Sequence, residues 1–232
     1  MSDALQYFSP ATKAWFEGAF GAPTRVQDEA WHAIRSGRHA LIVAPTGSGK
    51  TLAAFLWALD QLANEPTAQP EVFTPELSAA LAVEEREAAE AEQGPRRTRV
   101  LYLSPLKALG VDVERNLQGP LVGITQTARR LGQTLARPRV AVRSGDTTPA
   151  ERRRQRADPP DILITTPESL YLMLTSEART TLTGVETVIL DEVHERQLDT
   201  DLVLAMCMEV AVLRDDLYLA AMSATLDAGT FA

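Results

Sequence analysis

The sequence predicts an α/β fold in which a parallel β-sheet carries helices on both faces. Three observations predict it. Short apolar runs rich in β-branched residues recur at 40–43, 100–104, 162–166 and 187–191. They are apolar throughout rather than alternating, which marks strands buried on both faces. Stretches with helical spacing separate them, the alternation that builds βαβ units with right-handed crossovers. Polar clusters at 46–51, 104–107, 143–146, 165–169, 191–194 and 223–225 all fall just beyond the carboxyl ends of the runs. Ligands of open parallel sheets bind there.

The elements follow in chain order. Residues 1–22 are rich in aromatics: Tyr7, Phe8, Trp15, Phe16 and Phe20. From Pro23 a helix carries Val26, Ala30, Trp31, Ala33 and Ile34 at helical spacing and ends near Gly37. Gln27 lies in its first turn. A glutamine amide there can donate to adenine N7 and accept from its amino group, but local chemistry alone reads Gln27 as a solvated side chain. Ala40-Leu41-Ile42-Val43 is the first strand. Pro45-Thr46-Gly47-Ser48-Gly49-Lys50-Thr51 follows and opens a helix with Leu52, Ala53, Phe55, Leu56 and Leu59 on its apolar face.

Strand, glycine-bearing loop and G-K-T at a helix start form a phosphate-binding P-loop. Ala44 stands where the usual pattern has its first glycine. The loop Thr46, Gly47, Ser48 and Gly49 turns backbone N–H groups toward phosphate oxygens, and the helix N-terminus adds its own donors. Lys50 reaches the β- and γ-phosphates, and the Thr51 hydroxyl is a ligand for Mg²⁺. ATP and Mg²⁺ are therefore the expected ligands.

Residues 64–98 differ in composition, with Pro66, Pro70, Pro75 and Pro95 among Ala and Glu. Good helix formers with a thin apolar face predict a surface insertion holding an exposed helix. Beyond it come a strand at 100–104, helices at 106–116 and 120–135, a short strand at 140–142 and a basic helix at 149–157. A strand at 162–166 leads into a helix that starts at Pro167, a favoured first position. A strand at 187–191, a helix at 200–213 and a last strand at 217–222 complete the set. The arginines Arg152, Arg153, Arg154 and Arg156 read equally as a solvated face or a nucleic-acid contact.

The whole chain, 232 residues at formal net charge −8, is of a size for one large domain or two small ones. The acidic excess gathers in the insertion, at Glu65, Glu71, Glu76, Glu84, Glu85, Glu87, Glu90 and Glu92, so the rest is nearer neutral. Cys207 is the single cysteine, which rules out an intrachain disulfide and suits a reducing cytoplasm. It lies in an apolar helical run and reads as an inert, buried thiol. No segment reads as membrane-spanning or as a signal peptide.

Asp191-Glu192-Val193-His194 follows the apolar run 188–190. An aspartate at a strand end beside a P-loop holds the nucleotide's Mg²⁺, and Glu192 is placed to take a proton from an attacking water. His194 reads as a relay between the phosphate site and the sheet's edge. His194-Glu195 lacks the second, spaced histidine of a zinc hydrolase site.

These residues carry a family resemblance. Pro45 to Thr51, Ser104-Pro105-Leu106-Lys107-Ala108-Leu109, Thr166-Pro167-Glu168-Ser169-Leu170, Asp191 to His194 and Ser223-Ala224-Thr225 follow the order of motifs I, Ia, Ib, II and III of superfamily 2 helicases. Up to about His194 the chain resembles the large helicase-related (Lhr) family. From Glu195 on, H-E-R-Q-L-D-T-D-L and M-S-A-T-L-D-A resemble DEAH-box helicases instead. The resemblance implies a RecA-like first motor domain spanning residues 1–232, with a second RecA-like domain outside this sequence that supplies the arginine finger.

It also implies roles. Gln27 resembles the adenine-reading glutamine of the Q-motif. Lys50, Asp191, Glu192 and His194 are the expected catalytic set, with Thr51 and Asp191 on the metal. Ser223 and Thr225 resemble the motif that couples hydrolysis to strand movement. Pro105, Lys107, Thr166 and Pro167 lie in motifs that hold the backbone of single-stranded nucleic acid, DNA favoured and RNA left open. Arg143, from the polar cluster at 143–146 rather than from a family motif, is a further expected contact. The competing expectations are a stand-alone nucleotide-binding module without turnover and a P-loop small-molecule kinase.

Overall fold

A computed structural model describes residues 4–65 and 97–225 of the chain. All but the margins of the expected insertion at 64–98 lies outside these residues. Six strands form one sheet: β1 (Ala40–Val43), β2 (Val100–Leu103), β3 (Val140–Arg143), β4 (Ile162–Thr165), β5 (Thr187–Leu190) and β6 (Tyr218–Ser223). Their spatial order is β1-β6-β5-β2-β4-β3, and every neighbouring pair is parallel.

The two cores alternate along each strand with a period of two. Ile42, Val100, Tyr102, Ile162, Ile164, Ile189, Ala220 and Met222 point to one face. That face is covered by α2 (Arg25–Arg35), α3 (Lys50–Ala63) and α4 (Lys107–Arg130). Leu101, Leu103, Leu163, Val188, Leu190, Leu219 and Ala221 point to the other. There α6 (Pro167–Leu174) and α7 (Leu198–Leu213) pack. The remaining long helices are α1 (Pro10–Phe20) and α5 (Pro149–Ala157). The amino-terminal aromatics build a third cluster, in which the fully buried Phe16 and Trp31 meet edge-to-face at 5.4 Å. Trp31 Nε1 donates to the Ala53 carbonyl at 3.0 Å and ties α2 to the P-loop helix.

Helix starts follow from local capping chemistry. Thr24 and Gln27 form a reciprocal capping box on α2, and Thr148 and Glu151 form one on α5. Thr166 caps α6 ahead of Pro167. One expectation is corrected: the helices expected at 106–116 and 120–135 are a single helix, α4, with Pro120 inside it. Its buried stripe of Val113, Leu117, Leu121, Ile124 and Ala128 runs unbroken past the proline, so continuous packing outweighs one lost backbone hydrogen bond. The helix stops at Leu131, followed by Gly132 in the left-handed region.

Beyond the acidic first turn of Asp199 and Asp201, helix α7 carries apolar residues on its outer side as well as on the side that meets the sheet, with Glu209 the charged exception. Val203, Leu204, Cys207 and Ala211 pack on the sheet, while Leu198, Val212 and Leu213 are more than four-fifths exposed. The Cys207 thiol is half-buried, and burial pushes it up to about 11, which agrees with an unreactive thiol. No helix among the described residues is long and apolar enough to cross a membrane.

Pro120 generates a stability prediction. Pro120→Ala restores the missing donor in an otherwise regular helix, and a proline interior to a helix costs about 3 kcal/mol against alanine. The unfolded chain gains back about 0.4–1 kcal/mol of entropy. Urea unfolding should show Pro120→Ala more stable by about 2 kcal/mol or slightly more. An unchanged or lower midpoint would mean that Pro120 shapes the helix in a way that alanine cannot.

Candidate nucleotide and nucleic-acid site

The carboxyl ends of β1, β6 and β5 lie side by side, and their loops form the site. Val43 aligns with Ser223, and Leu190 with Ala221. The P-loop therefore leaves the sheet next to Ser223, with Asp191 one strand further on. Gly47 and Gly49 have φ of 82° and 86°, a region that side chains disfavour. A Cβ on Gly49 would also lie 2.5 Å from Gln27 Nε2.

Lys50 is buried, and its ammonium donates to the Ala44 and Pro45 carbonyls, the latter at 3.0 Å. Its charge acts on both Asp191 and Glu192. Ser48 Oγ is buried with no hydrogen-bond partner among the described residues. A glycine turn, a lysine held within it and an orphaned hydroxyl match what phosphate oxygens require. Among the described residues no three His, Cys, Asp or Glu side chains cluster as a metal cage. A Mg²⁺ here fits only in the manner of a nucleotide's ion, held by one or two protein oxygens, Thr51 and Asp191, with phosphates completing the shell.

Asp191 is buried, and both its carboxylate oxygens are engaged. Oδ1 accepts from the Glu192 N–H at 2.9 Å, and Oδ2 accepts from the Tyr102 hydroxyl. Burial raises the pKa of Asp191 and outweighs the opposing effects of Tyr102, the Glu192 N–H, Lys50 and His194. Glu192 is raised too, first by burial and then by the charge of Asp191. Its backbone has a φ of 52°, and Arg196 has one of 49°; these are the only non-glycine residues with positive φ among those described. The turn bends Glu192 back over the strand end, 3.2 Å from His194 Nδ1. The same Nδ1 lies 3.5 Å from the Ala224 N–H. It accepts from Ala224 in one tautomer and donates to Glu192 in the other.

Gln27 is buried rather than solvated. Its Oε1 accepts from Thr24 N–H at 3.0 Å, and its Nε2 donates to the Gly49 carbonyl at 3.4 Å. The amide braces the P-loop and keeps one N–H for a further partner. Ser223 Oγ donates to the Thr225 carbonyl, which closes the turn after β6, and Thr225 is exposed.

The expected nucleic-acid residues meet at the carboxyl ends of β2, β4 and β3. Ser104, Lys107, Arg143, Thr165 and Thr166 line one small depression. Pro105 precedes Lys107 at its rim, and Pro167 is buried at the start of α6. Lys107 pairs with Asp146 at 3.0 Å, on an exposed surface. Burial, with Arg152 and Arg156 close by, lowers the pKa of Arg143. Of the arginine run, Arg152 donates to the Ser144 and Gly145 carbonyls, and Arg156 pairs with Glu177 at 2.9 Å, so two of its members serve the fold. Tyr102 is the residue that sequence reasoning passed over. A tyrosine inside an otherwise aliphatic strand is the available signal, because a buried hydroxyl requires a partner.

Residues 24–231 match the model of the DEAD/DEAH box helicase family. The chain belongs to that family. This DEAD/DEAH box domain is 55% identical over 193 residues to "Lhr helicase/ probable uracil glycosylase" of Mycolicibacterium smegmatis, covering 83% of the chain and 11% of that protein. A 47-residue stretch, 20% of the chain, is 62% identical to "ATP-dependent RNA helicase HrpB" of Escherichia coli and covers 6% of it. Among solved structures, Mycobacterium smegmatis helicase Lhr bound to ssDNA and AMP-PNP superposes with a TM-score of 0.78 at 48% identity, over 97% of this chain and 26% of that one. The chain thus spans about a tenth of the length of the Mycolicibacterium relative. The Lhr part of the resemblance expected from the sequence is borne out.

The buried aspartate of this helicase domain sets a pH prediction. A carboxyl group whose pKa is higher folded than unfolded binds its proton more tightly in the folded chain. Its ionised form then costs stability, which falls as pH rises from the ordinary aspartate range through the raised value. At neutral pH that cost is present in full. Asp191→Asn removes the charge, and its amide can still accept from Glu192 N–H and meet the Tyr102 hydroxyl. Calorimetric melting should place Asp191→Asn above the wild type at pH 7, with the gap closing on acidification. A lower melting temperature at pH 7 would show that the carboxylate is a net stabiliser.

Proposed function

We propose that this domain is the ATP-binding motor of an ATP-dependent helicase that couples ATP hydrolysis to movement on single-stranded nucleic acid. The observation that carries the reading is the meeting of three loops at one sheet edge: the P-loop with buried Lys50, Asp191-Glu192-Val193-His194, and Ser223 between them. The Lhr relative seen with ssDNA and AMP-PNP supports it, and favours DNA as the substrate.

The chain's own groups divide the work. The backbone N–H groups of 46–50 and the Lys50 ammonium hold the phosphates. Gln27 offers its free N–H toward the adenine side of the loop. Thr51 and Asp191 would hold Mg²⁺, which would offset the charge that develops on the transferring phosphate. Glu192 takes a proton from the attacking water, and its raised pKa makes it a stronger base than an ordinary glutamate. His194 Nδ1 lies near both Glu192 and the Ala224 N–H beside Ser223 and can serve only one of them in each tautomer, so a proton change at the base alters its hold on the turn that ends at Thr225. Lys107, Arg143 and Pro105 face nucleic acid, and the buried Thr166-Pro167 turn sets the helix N-terminus behind them, so that cations and a helix start contact phosphates without reading bases.

On this reading a second motor domain in a longer protein completes the site and supplies an arginine finger, worth about 10³–10⁵ in rate. The setting is cytoplasmic. The alternative of nucleotide binding without turnover is disfavoured by Glu192, which a purely binding module has no need to place.

The test is steady-state ATPase activity of the longer two-domain protein, with and without single-stranded DNA or RNA. Turnover should rise with nucleic acid and lose that stimulation as salt increases, because counterion release accompanies phosphate contacts. Glu192→Gln should keep nucleotide bound and lower turnover by about 10²–10⁴. In the wild type the acid limb of the pH–rate profile should lie above the ordinary glutamate range, since the protonated carboxyl cannot accept a proton. Unaltered turnover in Glu192→Gln would remove it from the role of base. Turnover indifferent to both nucleic acids would remove the motor reading.

A further inference from the structure

Tyr102 occupies a singular place. It is fully buried, and its ring stacks on Phe55 with centroids 5.2 Å apart and planes 30° apart. Phe55 stands one turn along α3 from Thr51. The hydroxyl donates to Asp191 Oδ2, and the backbone N–H of Asp191 donates to the Leu103 carbonyl at 2.9 Å. Two residues after Tyr102 begins the Ser104–Lys107 loop. One rigid side chain therefore spans from the P-loop helix to the end of β5, rooted in the strand that leads into the nucleic-acid loop.

With Oδ1 held by the Glu192 N–H and Oδ2 by Tyr102, neither side-chain torsion of Asp191 is free. Only the outward lone pairs of the carboxylate remain for a metal ion. We propose that the Tyr102 hydroxyl is a positioning group that fixes the Asp191 carboxylate for the nucleotide's Mg²⁺ and, through its ring on Phe55, holds that carboxylate in register with Thr51. The inference rests on the assignment of Thr51 and Asp191 to the metal. Tyr102 is not among the residues assigned to nucleotide or metal. It acts through Asp191, as partners beyond the coordinating groups of other metal sites do, where their loss costs about 10–100-fold in metal affinity.

The test measures Mg²⁺ dependence of nucleotide binding, which does not require turnover. AMP-PNP is titrated onto the 232-residue chain by calorimetry in EDTA and across a Mg²⁺ series, for the wild type, Tyr102→Phe and Asp191→Asn. Tyr102→Phe keeps the ring and removes only the hydroxyl. It should bind AMP-PNP in EDTA as the wild type does, yet need about tenfold or more Mg²⁺ for half-maximal enhancement. Asp191→Asn should lose the enhancement. Phe55→Leu, which keeps the hydroxyl and loosens the ring, should shift the Mg²⁺ requirement in the same direction by less, and it serves if Tyr102→Phe does not fold.

A purely structural role would weaken binding in EDTA and Mg²⁺ alike, which overturns the proposal. A wild-type Mg²⁺ requirement in Tyr102→Phe, with Asp191→Asn defective, overturns it and leaves the metal assignment standing. Full Mg²⁺ enhancement in Asp191→Asn overturns both.

Discussion

Three parallel strands in register decide this site. β6 lies between β1 and β5, so the loops leaving them emerge at one level, about a strand spacing apart. A slip of one residue in either pairing would turn Asp191 or the P-loop to the other face of the sheet. The register is held by two cores that alternate along every strand, Ile189 and Ala220 on one side, Val188 and Leu219 on the other. The chemistry is thus fixed by packing well below it. The polar residues are passengers on strand ends that the apolar residues set.

That arrangement places charge where water is scarce. Asp191 is held at a strand end by burial's opponents: a tyrosine hydroxyl, a backbone N–H and the field of Lys50. Desolvation still wins, and the carboxylate's pKa is raised. Such a group is poorly matched to the apo fold and well matched to a cation, a common trade at functional sites. The left-handed backbone at Glu192 and at Arg196 belongs with it. Strain of this kind persists where surrounding structure over-determines it, here the β5 ladder before the turn and α7 after it.

The fold was legible because its strands are uniformly apolar and its helices begin with recognisable chemistry. Val100-Leu101-Tyr102-Leu103 and Ile162-Leu163-Ile164-Thr165 each read as doubly buried strands, and both pair as such. The P-loop and Asp191-Glu192 were equally legible, since local spacing specifies them. Pro120 misled, because a helix breaker read locally cannot reveal a stripe that packs across it. The bracing contact of Gln27 and the role of Tyr102 were hidden for a related reason. Their partners, Gly49 and Asp191, lie far along the chain, and no local pattern announces a long-range hydrogen bond. The pairing of Lys107 with Asp146 joins loops after different strands and was hidden likewise.

The central claim is that the loop after β1 and the ammonium of Lys50 hold the phosphates of ATP. Calorimetric titration of Mg·AMP-PNP onto the wild-type chain and onto Lys50→Ala tests it directly, with melting curves confirming that both are folded. The account predicts saturable one-to-one binding to the wild type and its near-complete loss in Lys50→Ala, because the main cationic partner of the phosphates is gone. Equal affinity of the two chains for the nucleotide would contradict it.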